Sequence, residues 1–223
     1  MNKKCYFVQD SGIGDIFFLQ KAATLYSNLG YQVIWPILPQ LLFLEQYLQT
    51  PAQFLDISSF KYSSDPDDIV LNFQSADTIF PECRIMEAKY RLANIDYSDW
   101  LDYFNFTRNI VKEESLYKLL NPSNEDYILV SRNYGTPPNY KKSNFSVDTK
   151  YGKIIEIDLI DGFTIFDWCK LVENAKEIWM MDTSLNYIID KLQLRAEKLK
   201  LFSRRPDFSE IDYLFKTKWE HSY

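Results

Sequence analysis

Asp15 closes the stretch Ser11-Gly12-Ile13-Gly14-Asp15, and the two glycines ahead of it are what make its carboxylate of interest. Residues without side chains at a turn let a ligand approach the backbone closely, and a helix starting there turns its N–H groups toward that ligand. A carboxylate in such a crevice can take a proton from a hydroxyl. The same aspartate can instead serve as a helix cap that favours the positive dipole end. Residue type alone leaves both readings open. A dinucleotide-binding turn is disfavoured, because Phe17 stands where the third glycine is required and the next strand ends in Pro36 rather than an acid.

A second group of candidates lies past the midpoint. Ser131-Arg132-Asn133-Tyr134-Gly135 follows an apolar run, with Lys141 and Lys142 further on, and Asp182-Thr183-Ser184 joins another run to a helical pattern. Hydroxyls and free N–H groups at a helix start make the simplest anion site, and a neighbouring arginine would complete a bidentate phosphate clamp. The plain alternative for Asp182-Thr183-Ser184 is an N-cap. Arg204-Arg205-Pro206 could also face phosphate or be a solvated pair, and Glu156 and Asp158 could hold a ribose.

Composition removes other classes of function. The net charge is −6 with no basic block, which argues against nucleic acid as a partner, since phosphate neutralisation dominates that affinity. Three widely spaced cysteines (Cys5, Cys83, Cys169) in apolar contexts read as reduced core residues of a cytoplasmic protein. The one histidine, His221, and the lack of C-x-x-C argue against a zinc site or a Ser-His-Asp triad. No run approaches membrane-spanning length.

The elements that must position these residues alternate. Apolar runs at 5–9, 31–35, 54–57 and 69–73 predict strands. A helix follows Gly14, and Pro39 opens another over Leu41 to Leu48. Residues 84–120 predict helices, including one over Asn109 to Leu120, and Asn121-Pro122-Ser123-Asn124 reads as a boundary. Strands are expected again at 127–130, 153–157, 177–181 and 198–202, with helices at 165–175, 183–192 and 208–215. The expectation is an α/β chain of two small Rossmann-like lobes with parallel sheets facing a cleft. Residues 1–122 form the first lobe and 123–223 the second, with ligands at the carboxyl ends of the strands.

Gly12-Ile13-Gly14-Asp15-Ile16 before a helix resembles the start of the ADP-heptose:lipopolysaccharide heptosyltransferases. So does the later segment from Phe163-Thr164-Ile165 through Asn174-Ala175-Lys176 to Asp182-Thr183-Ser184-Leu185-Asn186. The resemblance implies a GT-B, metal-independent, inverting glycosyltransferase with Asp15 as the base. It implies that Gly14, Ser131, Arg132, Lys142, Asp182, Thr183, Ser184, Leu185 and Arg205 bind the nucleotide-diphosphate sugar, which is a co-substrate; no cofactor is implied. A carbohydrate or glycan is the implied acceptor. Asn186-Tyr187 occupies the place of the family's histidine, and the chain is shorter than its members. The middle segment, Met86 to Arg108 with Glu113-Glu114, is similar to small phage- and algal-virus-type glycosyltransferase-like proteins. The competing reading is a glycosyltransferase-like binding or assembly module that has lost catalysis.

Overall fold

The computed structural model describes residues 3–63, 65–135, 140–204 and 212–222. Arg205 and the first half of the helix expected over 208–215, residues 208–211, lie outside them; in the described half Asp212–Leu214 is a 3-10 turn. The chain divides into two compact units, Met1–Thr107 and Arg108–Tyr223.

In the first unit the order is β1 (Lys4–Val8), α1 (Ile13–Phe18), α2 (Gln20–Asn28), β2 (Gln32–Ile37), β3 (Gln53–Asp56), β4 (Ile69–Asn72), α3 (Ala76–Ile79), α4 (Ile85–Leu92) and α5 (Trp100–Tyr103). The strands form one parallel sheet in the order β3-β2-β1-β4. Parallel strands covered on both faces read as unbroken apolar runs, and β1, with Cys5, Tyr6 and Phe7 all buried, is the clearest case. Phe7 sits 5.0 Å from both the Trp35 and the Phe73 ring, and the Trp35 indole N–H donates to the Gln9 carbonyl at 2.8 Å. Gln9 is thereby fixed one residue beyond the end of β1.

The helix expected after Gly14 is two helices broken at Leu19. The Gln20 side-chain amide donates to the Ile16 carbonyl at 2.8 Å, competing for the acceptor that an unbroken helix would give to Gln20's backbone N–H. Pro39 opens a 3-10 helix, Pro39–Gln46, rather than an α-helix to Leu48.

In the second unit the order is α6 (Ile110–Leu120), β5 (Tyr127–Ser131), β6 (Asn133–Tyr134), β7 (Lys141–Lys142), β8 (Lys153–Glu156), α7 (Cys169–Asn174), β9 (Glu177–Met181), α8 (Leu185–Ile189), β10 (Lys198–Phe202) and β11 (Glu220–Ser222). The main sheet is parallel, in the order β11-β10-β9-β5-β8, and β6 and β7 form a separate antiparallel pair. Ile128, Val130, Trp179, Met181 and Phe202 make one core cluster, with Tyr134, Phe145, Val147 and Tyr151 packed against it.

The boundary between units falls before α6, not after Pro122. Arg108 shows why. Its guanidinium donates to both oxygens of Glu113 on α6 and to both oxygens of Glu173 on α7, each of the latter at 2.8 Å. Asn121 is a buried turn residue of the same unit, accepting from Lys153 Nζ at 2.7 Å and donating to the Glu125 carbonyl at 3.0 Å. The Asn-Pro signal marks that turn. Cys5 and Cys169 are buried, and burial pushes the Cys5 thiol up to about 12. Cys83 departs from the core expectation: it is half-buried and accepts from Arg91 at 3.3 Å.

Candidate functional site

Each sheet has a point where the order of connection reverses. In the first, β1, β2 and β3 progress to one edge, and β4 then pairs on the other side of β1. In the second, β8 lies on one side of β5 and β9 on the other. At such switch points the loops leave the strand ends in opposite directions and open a crevice beyond the carboxyl ends. The loop after β1 ends at Gly12, and Gly14 and Asp15 lie in the first turn of α1. Ser131 ends β5 with Arg132 following it, and the loop after β9 carries Asp182-Thr183-Ser184.

Gly12 is the N-cap of α1, with φ 81° and ψ 90°, and its carbonyl accepts the first helical hydrogen bond from Ile16 at 3.0 Å. Only glycine adopts that backbone without strain. Gly14 is the second helical residue and Asp15 the third, not the first as the sequence suggested. The Asp15 carboxylate lies back over Gly12: a Cβ on Gly12 would stand 3.2 Å from Asp15 Cγ and far inside contact distance of Oδ2. Its other oxygen, Oδ1, pairs with Lys89 Nζ of α4 at 2.8 Å. Lys89 is 4% exposed and also donates to Gln9 Oε1. The Asp15 side chain is 29% exposed, so one oxygen is anchored inside and the group still reaches solvent.

In the second unit Arg132 and Lys142 converge on Glu156, the last residue of β8. Arg132 Nη1 is 3.0 Å from Glu156 Oε2 and Lys142 Nζ is 2.7 Å from Oε1. The hydrogen bond from Lys142, reinforced by the charge of Arg132, holds the Glu156 carboxyl below its ordinary value of 4.5. The guanidinium also lies 5.0 Å over the Phe145 ring, and Phe145 stacks on Phe202 at 3.8 Å. Glu156 is thus the counter-ion of both cations rather than an open ribose acceptor. Asp158 accepts from Asn133 Nδ2 at 3.2 Å and from the Leu159 N–H at 2.8 Å.

The loop after β9 differs from the free helix start expected there. Asp182 is 2% exposed, and its Oδ1 accepts from the Arg204 backbone N–H at 3.0 Å and from Arg204 Nε at 2.8 Å. The Thr183 N–H donates to Asn186 Oδ1 at 2.7 Å, so the chain itself supplies that acceptor. Ser184 is the N-cap of α8, and Leu185 is buried. With five residues, α8 is half the expected length, and its summed dipole is correspondingly small. Ser131 is buried at the end of β5, and Lys142 is exposed.

Lys89 and Gln9 were not singled out by the sequence. One signal was available: Met86, Ala88, Lys89 and Tyr90 are the buried residues of α4, so a lysine sits on the apolar face of an amphipathic helix. A cavity of about 330 Å³ lies elsewhere, against Lys4, Gln32 and Gln53 at the opposite, amino ends of β1 to β3. Among the described residues no three His, Cys, Asp or Glu side chains gather as a ligand set, and no helix is long and apolar enough to cross a membrane.

No protein-family model matches the chain, and neither does any curated protein. Solved structures do. The dodecameric iron-containing heptosyltransferase TibC in complex with ADP-D-β-D-heptose superposes with a TM-score of 0.51 and 10% identity, over 91% of this chain and 58% of TibC. A second TibC structure, from enterotoxigenic E. coli H10407, gives 0.48 at 10% identity over the same shares. A family 9 glycosyl transferase from Veillonella parvula DSM 2008 gives 0.48 at 7% identity, over 99% of this chain and 86% of that one. The chain spans little more than half the length of TibC. The likeness of the middle segment to viral-type proteins finds no support among these structures. What the chain shares with TibC is its fold: α/β, built on parallel sheets and consistent with a GT-B-like architecture.

Proposed function

We propose that this chain is an inverting glycosyltransferase that moves a sugar from a nucleotide-diphosphate donor to a hydroxyl of a carbohydrate or glycan, with no metal required. One observation carries the reading: Asp15 and Arg132 follow β1 and β5, the strands that flank the switch points of the two parallel sheets, and Lys142 joins Arg132 on Glu156. The donor docks on the second unit, its diphosphate drawing Arg132 and Lys142 from Glu156, with Arg205, Ser131 and the Asp182-Thr183-Ser184-Leu185 loop completing the subsite. Gly14 leaves room in the first unit for the reacting groups. Asp15 accepts the proton of the acceptor hydroxyl as its oxygen bonds to the anomeric carbon. The bond from that carbon to the phosphate oxygen breaks, and the electron pair leaves with the diphosphate, where the cations stabilise it. Attack from the face opposite the leaving group inverts the configuration.

The fold and the heptosyltransferase-like motifs support sugar transfer as the class, and the ADP-heptose complex of TibC supports a nucleotide sugar as donor. A second reading, a binding module without catalysis, is favoured by the ion pairs that already occupy Asp15, Arg132 and Lys142. Thermal unfolding against a panel of nucleoside diphosphates and nucleotide sugars, with and without divalent metal, separates the two. A ligand present at a hundred times its Kd adds about 2.7 kcal/mol to the folded state. A midpoint shift with one diphosphate and its sugars, unchanged by metal, is the expected outcome. Silence across the panel removes the donor site and leaves the second reading.

A further inference from the structure

We infer that Lys89 is a positioning residue that fixes which oxygen of Asp15 does the work: Oδ1 is the anchored oxygen and Oδ2, over Gly12, is the one that accepts the proton. The inference rests on the proposed role of Asp15 and adds to it a residue that neither the motifs nor the fold comparison points to.

Three observations converge on it. Lys89 Nζ is buried, and an ammonium out of water must be paired and hydrogen-bonded to be tolerated there. Its partners are Asp15 Oδ1 and Gln9 Oε1. Gln9 is itself held, donating from Nε2 to the Ser11 carbonyl at 2.7 Å and accepting at its own carbonyl from the Trp35 indole. The ammonium is therefore fixed from the β1 side, and it fixes Oδ1 in turn. Oδ2 has no hydrogen-bond partner among the described residues and stands far inside contact distance of the position a Cβ of residue 12 would take. A glycine at position 12 thus serves two ends at once, the backbone at φ 81° and the space for Oδ2.

An anchored oxygen and an unanchored one on a single carboxylate is a directional device. A carboxylate free to rotate presents either oxygen to the acceptor in many orientations, whereas one tied at Oδ1 presents Oδ2 alone. Orientation of this kind accounts for large factors in rate, about 100-fold for a misplacement near 1 Å. Lys89 does not touch the substrate; it acts through Asp15.

Lys89→Met keeps the apolar stem and removes the ammonium. The test measures kcat and donor Kd for Lys89→Met, Asp15→Asn and the double variant in the full-length protein, using the nucleotide sugar that stabilises the wild type. The expected result is a fall in kcat of about 100-fold for Lys89→Met with donor Kd unchanged, and no further loss when it is added to Asp15→Asn. Unchanged kcat, or an equal loss in the Asp15→Asn background, overturns the inference, because Lys89 would then act independently of Asp15. Lys89→Leu, which also removes the ammonium and suits the apolar face of α4, stands in if the methionine variant does not fold. If Asp15→Asn itself turns over normally, or the wild type transfers no sugar, the proposed function fails. The crystal structure of the Lys89 variant then decides the positioning claim alone: a carboxylate swung away from Gly12 upholds it, and one that has not moved overturns it.

Discussion

Replacing Gly12 by alanine tests the geometry of Asp15 without any knowledge of substrate. Two separable terms follow from the structure. The backbone at φ 81° is one that L-residues adopt at a cost of about 1–2 kcal/mol. The new Cβ also collides with Asp15 Oδ2, and because the colliding atom ends a flexible side chain, the carboxylate rotates away rather than the backbone yielding. That rotation separates Oδ1 from Lys89 and strips a buried ammonium of one of its two partners, which costs about 1–3 kcal/mol more. In an Asp15→Ala background the second term is absent, since there is no carboxylate to displace. Urea unfolding of the wild type, both single variants and the double variant measures the difference as a coupling energy. The expected coupling is at least about 1 kcal/mol, with Gly12→Ala more harmful when Asp15 is present. An equal loss in both backgrounds would mean that the carboxylate does not lie over Gly12 and that Oδ2 is not held there apart from Oδ1.

Arg108→Met should leave the carboxylate of Glu113, whose side chain is 1% exposed, buried beside Glu173 with no cation between them. Because Arg108 is itself partly solvated, the expected loss in chemical denaturation is near the low end of what breaking a buried pair costs, about 3 kcal/mol; less than 1 kcal/mol would show that the bridge does not tie α6 to α7. Glu156 supplies a pH test. Its folded-state pKa is depressed by Lys142 and Arg132, so its contribution to stability is complete above about 4.5 and disappears as pH falls through the lower folded value. The stability gap between wild type and Glu156→Gln should therefore be constant from neutral pH down to about 5 and close below 4.5; a gap that widens on acidification would contradict the pairing.

What could be read in the sequence is what is local. Both parallel sheets were visible because buried strands such as Cys5-Tyr6-Phe7-Val8 and Tyr127-Ile128-Leu129-Val130 are continuous apolar runs, and the loop holding Gly12 to Asp15 follows from where the first run stops. Helix continuity was less legible. Gln20 is a good helix former, and only its side-chain bond to the Ile16 carbonyl marks the break at Leu19. The division between units was hidden for a different reason: the bridging of Arg108 to Glu173 spans 65 residues, whereas the Asn121-Pro122 turn is a strong local signal with a local meaning. The same holds at the site. Lys89 is 74 residues from Asp15 in sequence, and no periodicity reports that they meet. In the second unit the cations were visible as types, but their convergence on Glu156 and the capping of Thr183 by Asn186 depend on the sheet order and on how short α8 is.

Asp15→Asn, assayed for release of nucleoside diphosphate in the presence of acceptor and, in parallel, for nucleotide-sugar binding, decides whether Asp15 is the base. The substitution keeps the size of the side chain and removes its capacity to take a proton. With Asp15 as the base, transfer falls by about 100-fold or more while the donor Kd is unchanged. Transfer at the wild-type rate in this variant would contradict it and take Asp15 out of the mechanism.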